Sequence, residues 1–115
     1  MAKFHFDCVF YYVSDMERAI PFYSDILGLR LTSRDVVARF DIDGVLFELV
    51  PSLNKRNARG GGNARLCLKV EDINQAVEYL KTKRTHAGEI QKVENGKLTS
   101  FEDLDGNEIY LWQYD

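Results

Sequence analysis

The sequence predicts an α+β fold of two repeated βαβββ modules that form a curved, partly closed mixed sheet around a cleft. Three observations carry that prediction. Apolar spacing switches from strand-like alternation to a helical period and back, twice along the 115 residues. A shift of 57 residues lays Val13 on Val70, Asp15 on Asp72, Met16 on Ile73, Ala19 on Ala76, Ile20 on Val77 and Phe22 on Tyr79. Asp43-Gly44 precedes Glu48-Leu49 by the same interval at which Asp105-Gly106 precedes Tyr110-Leu111. Self-similarity at a fixed spacing marks a duplicated unit. The expected organisation is a single domain over 1–115, with module one at 4–51, a linker at 52–62 and module two at 63–115.

The first strand is expected at 6–13, where β-branched and aromatic residues run together. Ser14 and Glu17 have the spacing of a capping box, and Met16, Ala19, Ile20 and Tyr23 recur at helical spacing until Leu27-Gly28 stops the turn. Pro21 is the misfit, because it removes a backbone donor and should kink the helix unless the first turn is a separate short piece. Three antiparallel strands are expected next at 29–33, 36–42 and 45–50, with Asp43-Gly44 as a two-residue hairpin turn. Residues 51–63 are polar and carry Gly60, Gly61 and Gly62. No Gly-Lys-Ser/Thr follows these glycines, so the stretch reads as a linker and not as a phosphate cradle. Module two then offers a strand at 64–70, a helix opening at Glu71-Asp72 with Ile73, Ala76, Val77 and Leu80 as its apolar stripe, and strands at 89–93 and 97–102 joined by Asn95-Gly96. A last strand carries Glu108 to the region of Trp112.

Composition bounds what such a fold does. Hydrophobic residues make up 45% of the chain and charged residues 29%, an ordinary globular balance that allows a core without staples. The net charge of −3, with lysines and arginines scattered among acids, argues against a nucleic-acid partner. The first residues show no leader and no apolar membrane span, so a cytoplasmic protein with no membrane partner is expected. Cys8 and Cys67 are too few for a disulfide framework and sit in apolar runs, which predicts buried free thiols.

Alternation assigns the faces. Val9, Tyr11 and Val13, with Val45, Phe47 and Leu49, suit the side covered by the first helix, and Leu66, Leu68, Val70, Ile109 and Leu111 suit the second. The opposite faces then hold Cys8, Phe10, Tyr12, Leu46, Glu48 and Val50 in module one, and Arg65, Cys67, Lys69, Glu108, Tyr110 and Trp112 in module two. A face this aromatic is too apolar to leave in water, so it should line a ligand cleft; filling of a closed core is the plainer alternative. Glu48 favours the cleft, since a carboxylate in a strand interior needs a cation or a polar ligand. The ligand-binding candidates are Cys8, Phe10, Tyr12, Leu46, Glu48, Arg65, Cys67, Tyr110 and Trp112.

Two stretches carry a family resemblance: Val13-Ser14-Asp15-Met16-Glu17-Arg18-Ala19-Ile20-Pro21-Phe22-Tyr23 running into Ile26-Leu27-Gly28-Leu29, and Asp103-Leu104-Asp105-Gly106-Asn107 before an apolar strand. With the two modules, they resemble the vicinal oxygen chelate superfamily, which includes glyoxalase I, extradiol dioxygenases, fosfomycin resistance enzymes and bleomycin resistance proteins. The resemblance implies the fold but not the substrate. In metal-dependent members it implies a divalent ion held from the first, fourth, fifth and eighth strands; the matching positions here look like Cys8, Glu48, Arg65 and Tyr110. Only Glu48 is kept. An arginine cannot ligate, and a lone carboxylate and thiol suit none of the usual ions, so no metal and no cofactor are expected. His5 falls on the opposite face and His86 in a loop.

Arg65 is therefore expected to fill the cation's niche by pairing with Glu48, where its donors would also grip an anionic or carbonyl-bearing ligand. A pair that only ties the halves together is the alternative. The functional expectation is a small-molecule-binding protein of the glyoxalase/bleomycin resistance type without the usual divalent metal site, sequestering an aromatic or anionic compound. The alternative is a lyase, isomerase or dioxygenase-type enzyme, metal-dependent or using Glu48 as base and Arg65 as oxyanion stabiliser, with Cys8 as a further candidate nucleophile. The resemblance also implies a homodimer.

Overall fold

The computed structural model describes residues 3–52 and 64–115. The linker expected at 52–62, with its three glycines, lies outside the described residues except for Ser52. The chain divides into two compact units, Met1–Ala58 and Arg59–Asp115.

In the first unit β1 (Val9–Val13) leads into α1 (Met16–Pro21), a π-helical turn (Phe22–Ile26), and the strands β2 (Arg30–Arg34), β3 (Ala38–Ile42) and β4 (Val45–Pro51). The strand order is β1-β4-β3-β2, with β1 parallel to β4 and the other pairs antiparallel. This mixed four-stranded sheet follows from the connections, since the helix between β1 and β2 permits a parallel crossover while Asp43 (φ 53°) and Gly44 (φ 89°) close a tight hairpin between β3 and β4. Val13, Ala19, Ile20, Phe22, Tyr23, Ala38, Phe40, Phe47 and Leu49 form the core on the helix side. Its aromatic centre is Tyr23, whose ring lies 5.3 Å from Phe47 and 6.1 Å from Phe40.

Two expectations for this unit need correction, the helix cap and the start of the third strand. The helix cap is Asp15 and not Ser14: the Asp15 carboxylate accepts from the Arg18 N–H at 3.3 Å. At Pro21 the short-piece alternative holds: α1 ends there after 6 residues, the winding widens so that the Leu27 N–H reaches the Phe22 carbonyl, and the Gly28 φ of 70° then ends the turn. Strand three begins at Ala38, because Asp35 turns the chain first, its carboxylate accepting from the Val37 N–H at 3.1 Å while Val36 is 77% exposed.

The second unit holds β5 (Leu66–Lys69), α2 (Ile73–Thr82), β6 (Gln91–Val93), β7 (Gly96–Glu102) and β8 (Glu108–Tyr114), in the order β5-β8-β7-β6. β5 is parallel to β8 and the remaining pairs are antiparallel, which repeats the first sheet strand for strand. Asp72 caps α2 through the Gln75 N–H at 3.1 Å, as its counterpart Asp15 caps α1, and the Gln113 side chain accepts from the Ile73 N–H at 2.8 Å. Ile73, Leu80, Phe101, Ile109 and Leu111 are buried. The β6–β7 turn is displaced by one residue from expectation: Asn95 takes the left-handed conformation (φ 70°) and Gly96 pairs with Val93 inside the ladder. A Cβ on Gly96 would strike the Gln113 carbonyl oxygen and come within 3.0 Å of the Trp112 ring, so the glycine serves close approach and not the turn. The sixth strand is also shorter than expected. Residues before it join β7 through the Gly88 N–H to the Ser100 carbonyl and the Thr99 hydroxyl to the Gly88 carbonyl.

Candidate functional site

The alternation read from the sequence holds in both sheets except at Val45, expected on the helix side and 44% exposed at the start of its strand. Phe47 and Leu49 are fully buried while Leu46, Glu48 and Val50 between and beyond them are half-buried, and Ile109 and Leu111 are buried while Glu108, Tyr110 and Trp112 are not. The structure thus places Phe10, Tyr12, Leu46 and Glu48 on the face of the first sheet away from α1. Cys8, just before β1, joins them, with its thiol 3.7 Å from the Glu48 carboxylate. Phe10 lies directly beside Glu48 in the parallel ladder and packs edge to face on Tyr12 with centroids 5.3 Å apart. In the second unit Cys67 lies beside Tyr110, Lys69 beside Trp112, and Ser100 beside Tyr110 on the other side.

Glu48 does meet a guanidinium. It belongs to Arg39, whose Nε lies 3.3 Å from Glu48 Oε2. Arg39 also binds the Asp35 carboxylate at 3.2 Å and Ser33 Oγ at 3.4 Å, and the carboxylates of Asp35, first, and Glu48 hold its proton more firmly than usual. Within its own unit Arg65, the residue expected in this role, donates to Glu108 at 3.1 Å and to the Ala64 carbonyl at 3.0 Å. Ser100 Oγ donates to the other Glu108 oxygen at 3.0 Å, and this hydroxyl, followed by Arg65 and Tyr110, draws the Glu108 pKa below the usual carboxylate value. On the face away from its helix each unit thus engages a strand carboxylate with a guanidinium, Glu48 with Arg39 in the first and Glu108 with Arg65 in the second.

Arg39 and Ser100 are the site residues that sequence reading missed, and one signal would have found the first. The Asp43-Gly44 turn pairs Ile42 with Val45, and counting three residues outward along both strands sets Arg39 opposite Glu48. Cys8 is half-buried and Cys67 exposed, so the buried-thiol expectation is corrected; β5 turns Cys67 to the face that α2 does not cover. Burial, and then the negative charges of Glu48 and Asp7, push the Cys8 thiol pKa up.

As a donor set these residues suit a divalent ion poorly. Glu48 already faces Arg39, Cys8 keeps its proton, and Arg65 is a permanent cation in contact with Glu108. No group of three His, Cys, Asp or Glu that could hold a metal ion occurs among the described residues. No helix among them is long and apolar enough to cross a membrane.

Each βαβββ module forms a four-stranded mixed sheet with a half-buried aromatic and ionic face, and the two together define an α+β protein of duplicated modules. The chain belongs to the Glyoxalase/Bleomycin resistance protein/Dioxygenase superfamily, whose profile matches residues 5–111. Among solved structures, the antibiotic-binding protein TnmS3 from Streptomyces sp. CB03234 is 25% identical, with 100% of this chain and 99% of that chain covered and a TM-score of 0.77. The fosfomycin resistance protein FosX from Listeria monocytogenes is 13% identical over 99% of this chain and 96% of that one, with a TM-score of 0.80. The lactoylglutathione lyase from Agrobacterium tumefaciens is 14% identical over 95% and 92%, with a TM-score of 0.76. The last two likenesses speak to the fold alone. Curated proteins give no match.

Proposed function

We propose that this protein binds and sequesters an aromatic or anionic small molecule without a divalent metal ion, as a homodimer. The observation that carries the reading is the Arg39–Glu48 contact: the one carboxylate kept at a position where metal-dependent relatives ligate is already matched by a guanidinium 3.3 Å away. A second cation there would have to displace an existing charge-assisted contact. The aromatic residues Phe10, Tyr12, Tyr110 and Trp112 supply flat apolar surface, and TnmS3, 25% identical over the full chain, is described as an antibiotic-binding protein. The residues at these positions favour an enzyme less. A thiol whose pKa is raised is a poor nucleophile at neutral pH, and the Arg65 guanidinium is already engaged by Glu108.

Two measurements test this together. Purified protein equilibrated with Ni²⁺, Zn²⁺ or Mn²⁺ should retain none after desalting, and its melting temperature should not change with chelator. A thermal-shift screen of aromatic antibiotics, thiol conjugates and small acids should then find a compound that raises the midpoint in metal-free buffer. Stoichiometric metal retention would overturn the proposal.

A further inference from the structure

Three non-glycine residues take the left-handed backbone conformation among the described residues: Asp43 (φ 53°), Arg84 (φ 60°) and Asn95 (φ 70°). Asp and Asn tolerate it through local hydrogen bonding, whereas an arginine has no such means and its Cβ crowds the following carbonyl. Arg84 stands just past the end of α2, where glycine is the default. The Thr85 N–H reaches back to the Leu80 carbonyl and the Arg84 N–H to that of Lys81, the two hydrogen bonds of a Schellman turn whose left-handed residue is Arg84. Strain kept at an exposed position points to a use for the side chain. We propose that the Lys83–Arg84 turn and the groove beside it dock a short acidic peptide segment of a partner protein, which sets its carboxylates at Arg84 and an apolar side chain against α2. This surface goes beyond the small-molecule reading and does not depend on it.

Charge and shape favour that occupant. Residues 81–86 carry Lys81, Lys83, Arg84 and His86 and no acid, in a chain whose net charge is −3. All four side chains belong to exposed residues. Lys81 is matched by Glu78 at 3.2 Å and Lys83 lies over the Tyr79 ring at 6.0 Å, whereas the side chains of Arg84 and His86 have no hydrogen bond or ion pair among the described residues. The negative end of the helix dipole accounts for cations in the last turn, but it does not require one at the strained position. Thr85 is buried, so the turn is anchored while Arg84 stays at the surface. Directly after His86 the chain borders a groove of about 480 Å³ between α2 and the approach to β6, where Val77, Ala87 and Ile90 are half-buried and leave room for an apolar side chain. Glu89 also lines the groove, so the carboxylates of the segment belong at the Arg84 end. A compact cation set matches a few carboxylates, whereas an extended polyanion or an anionic membrane would also meet the acidic remainder of the surface.

Full-length ¹⁵N-labelled protein is titrated with the capped peptide Glu-Glu-Glu-Leu-Ala and with its uncharged counterpart Gln-Gln-Gln-Leu-Ala. The acidic peptide should shift the amides of residues 81–90 to saturation, bind roughly three- to tenfold tighter than the uncharged one, and weaken as salt rises from about 50 to 200 mM. Two variants separate charge from backbone. Arg84→Gln keeps the strained backbone without the charge, and should weaken the acidic peptide by about three- to tenfold with the melting temperature unchanged. Arg84→Gly should weaken it as much while raising the melting temperature by about 2–5 °C, because glycine takes the left-handed conformation freely. A stabler protein that binds worse is the signature that a purely structural arginine would not give. An acidic peptide that leaves residues 81–90 unmoved, an uncharged peptide that binds equally well, or variants that keep the wild-type affinity would each refute the docking surface. So would a lower melting temperature in Arg84→Gly, since the arginine would then serve stability, or a short DNA duplex or phosphatidylserine vesicles binding at this turn while the peptide does not.

Discussion

Arg39 is the residue on which the first unit's polar chemistry turns. Its guanidinium is matched to Glu48, whose side chain is only 17% exposed, and to Asp35, which is open to solvent. Removing the cation leaves a half-buried carboxylate without its partner, so Arg39→Met should destabilise the protein by about 1–2 kcal/mol, and Glu48→Gln in that background should recover part of the loss. Urea unfolding of the two variants checks it; an unaltered midpoint in Arg39→Met would make the contact ornamental. Two other carboxylates set the pH response. The Asp35 pKa is lowered chiefly by the Val37 backbone N–H and then by Arg39, and that of Glu108 chiefly by Ser100 and then by Arg65. A carboxylate lowered on folding contributes stability that is present above its unfolded value, near pH 4, and is lost as pH falls through the lowered folded value. The melting temperature should therefore be flat near neutrality and fall below about pH 4, and Ser100→Ala should move the Glu108 titration upward by NMR. The pairing of Arg39 with Glu48 was legible in the sequence through the hairpin register. The Arg65–Glu108 contact is half legible: alternation puts both residues on one face, but Glu108 opens its strand beside a loop, where a carboxylate needs no partner, whereas Glu48 stands in a strand interior.

At the scale of elements, the sequence announced nearly every strand and both helices, and its misses came where local chemistry competes. Ser14-Asp15 offers two capping residues in succession, and only the second copy of the module, where Asp72 stands directly before Ile73, settles the choice for Asp15. Pro21 was recognised as a misfit, but a widened π turn that keeps Phe22 and Tyr23 buried is a tertiary solution: burying those two rings outweighs the irregular winding. Asn95-Gly96 reads as a turn by composition, yet asparagine takes the left-handed position and glycine the ladder, because β8 passes too close for any side chain. Gly96→Ala should thus cost about 2–3 kcal/mol through overpacking against the Gln113 backbone. Gly44→Ala, at φ 89° but with open space around it, should cost less and only through backbone strain. Equal losses in thermal unfolding would mean that both glycines serve conformation alone.

For the whole molecule, what remains to be explained is exposed apolar surface at the start of the chain. Phe4 is 94% exposed, Phe6 72%, Phe10 45% and Tyr12 36%, and these residues run along β1 and its approach, at the end of the first sheet's strand order. Scattered apolar residues are ordinary on a surface, but several large ones along an end strand form a patch that favours a protein partner. Self-association through this strand would bury the patch and shield the β1 backbone at one stroke, and a twofold contact repeats each favourable interaction. Light scattering at micromolar concentration should therefore give twice the chain mass of 13.3 kDa. Phe10→Asp, which sets a charge in the patch without touching the buried face of β1, should shift the mass toward a single chain while the far-ultraviolet circular dichroism stays unchanged. Because Phe10 sits beside Glu48 in the ladder, the same variant separates two roles. Loss of the dimer with ligand binding kept would place the first unit's aromatic face at the subunit contact alone, whereas loss of both would make the binding surface depend on a second copy. A wild-type protein that is already monomeric at that concentration would refute the homodimer and return Phe10 and Tyr12 to ligand binding within one chain.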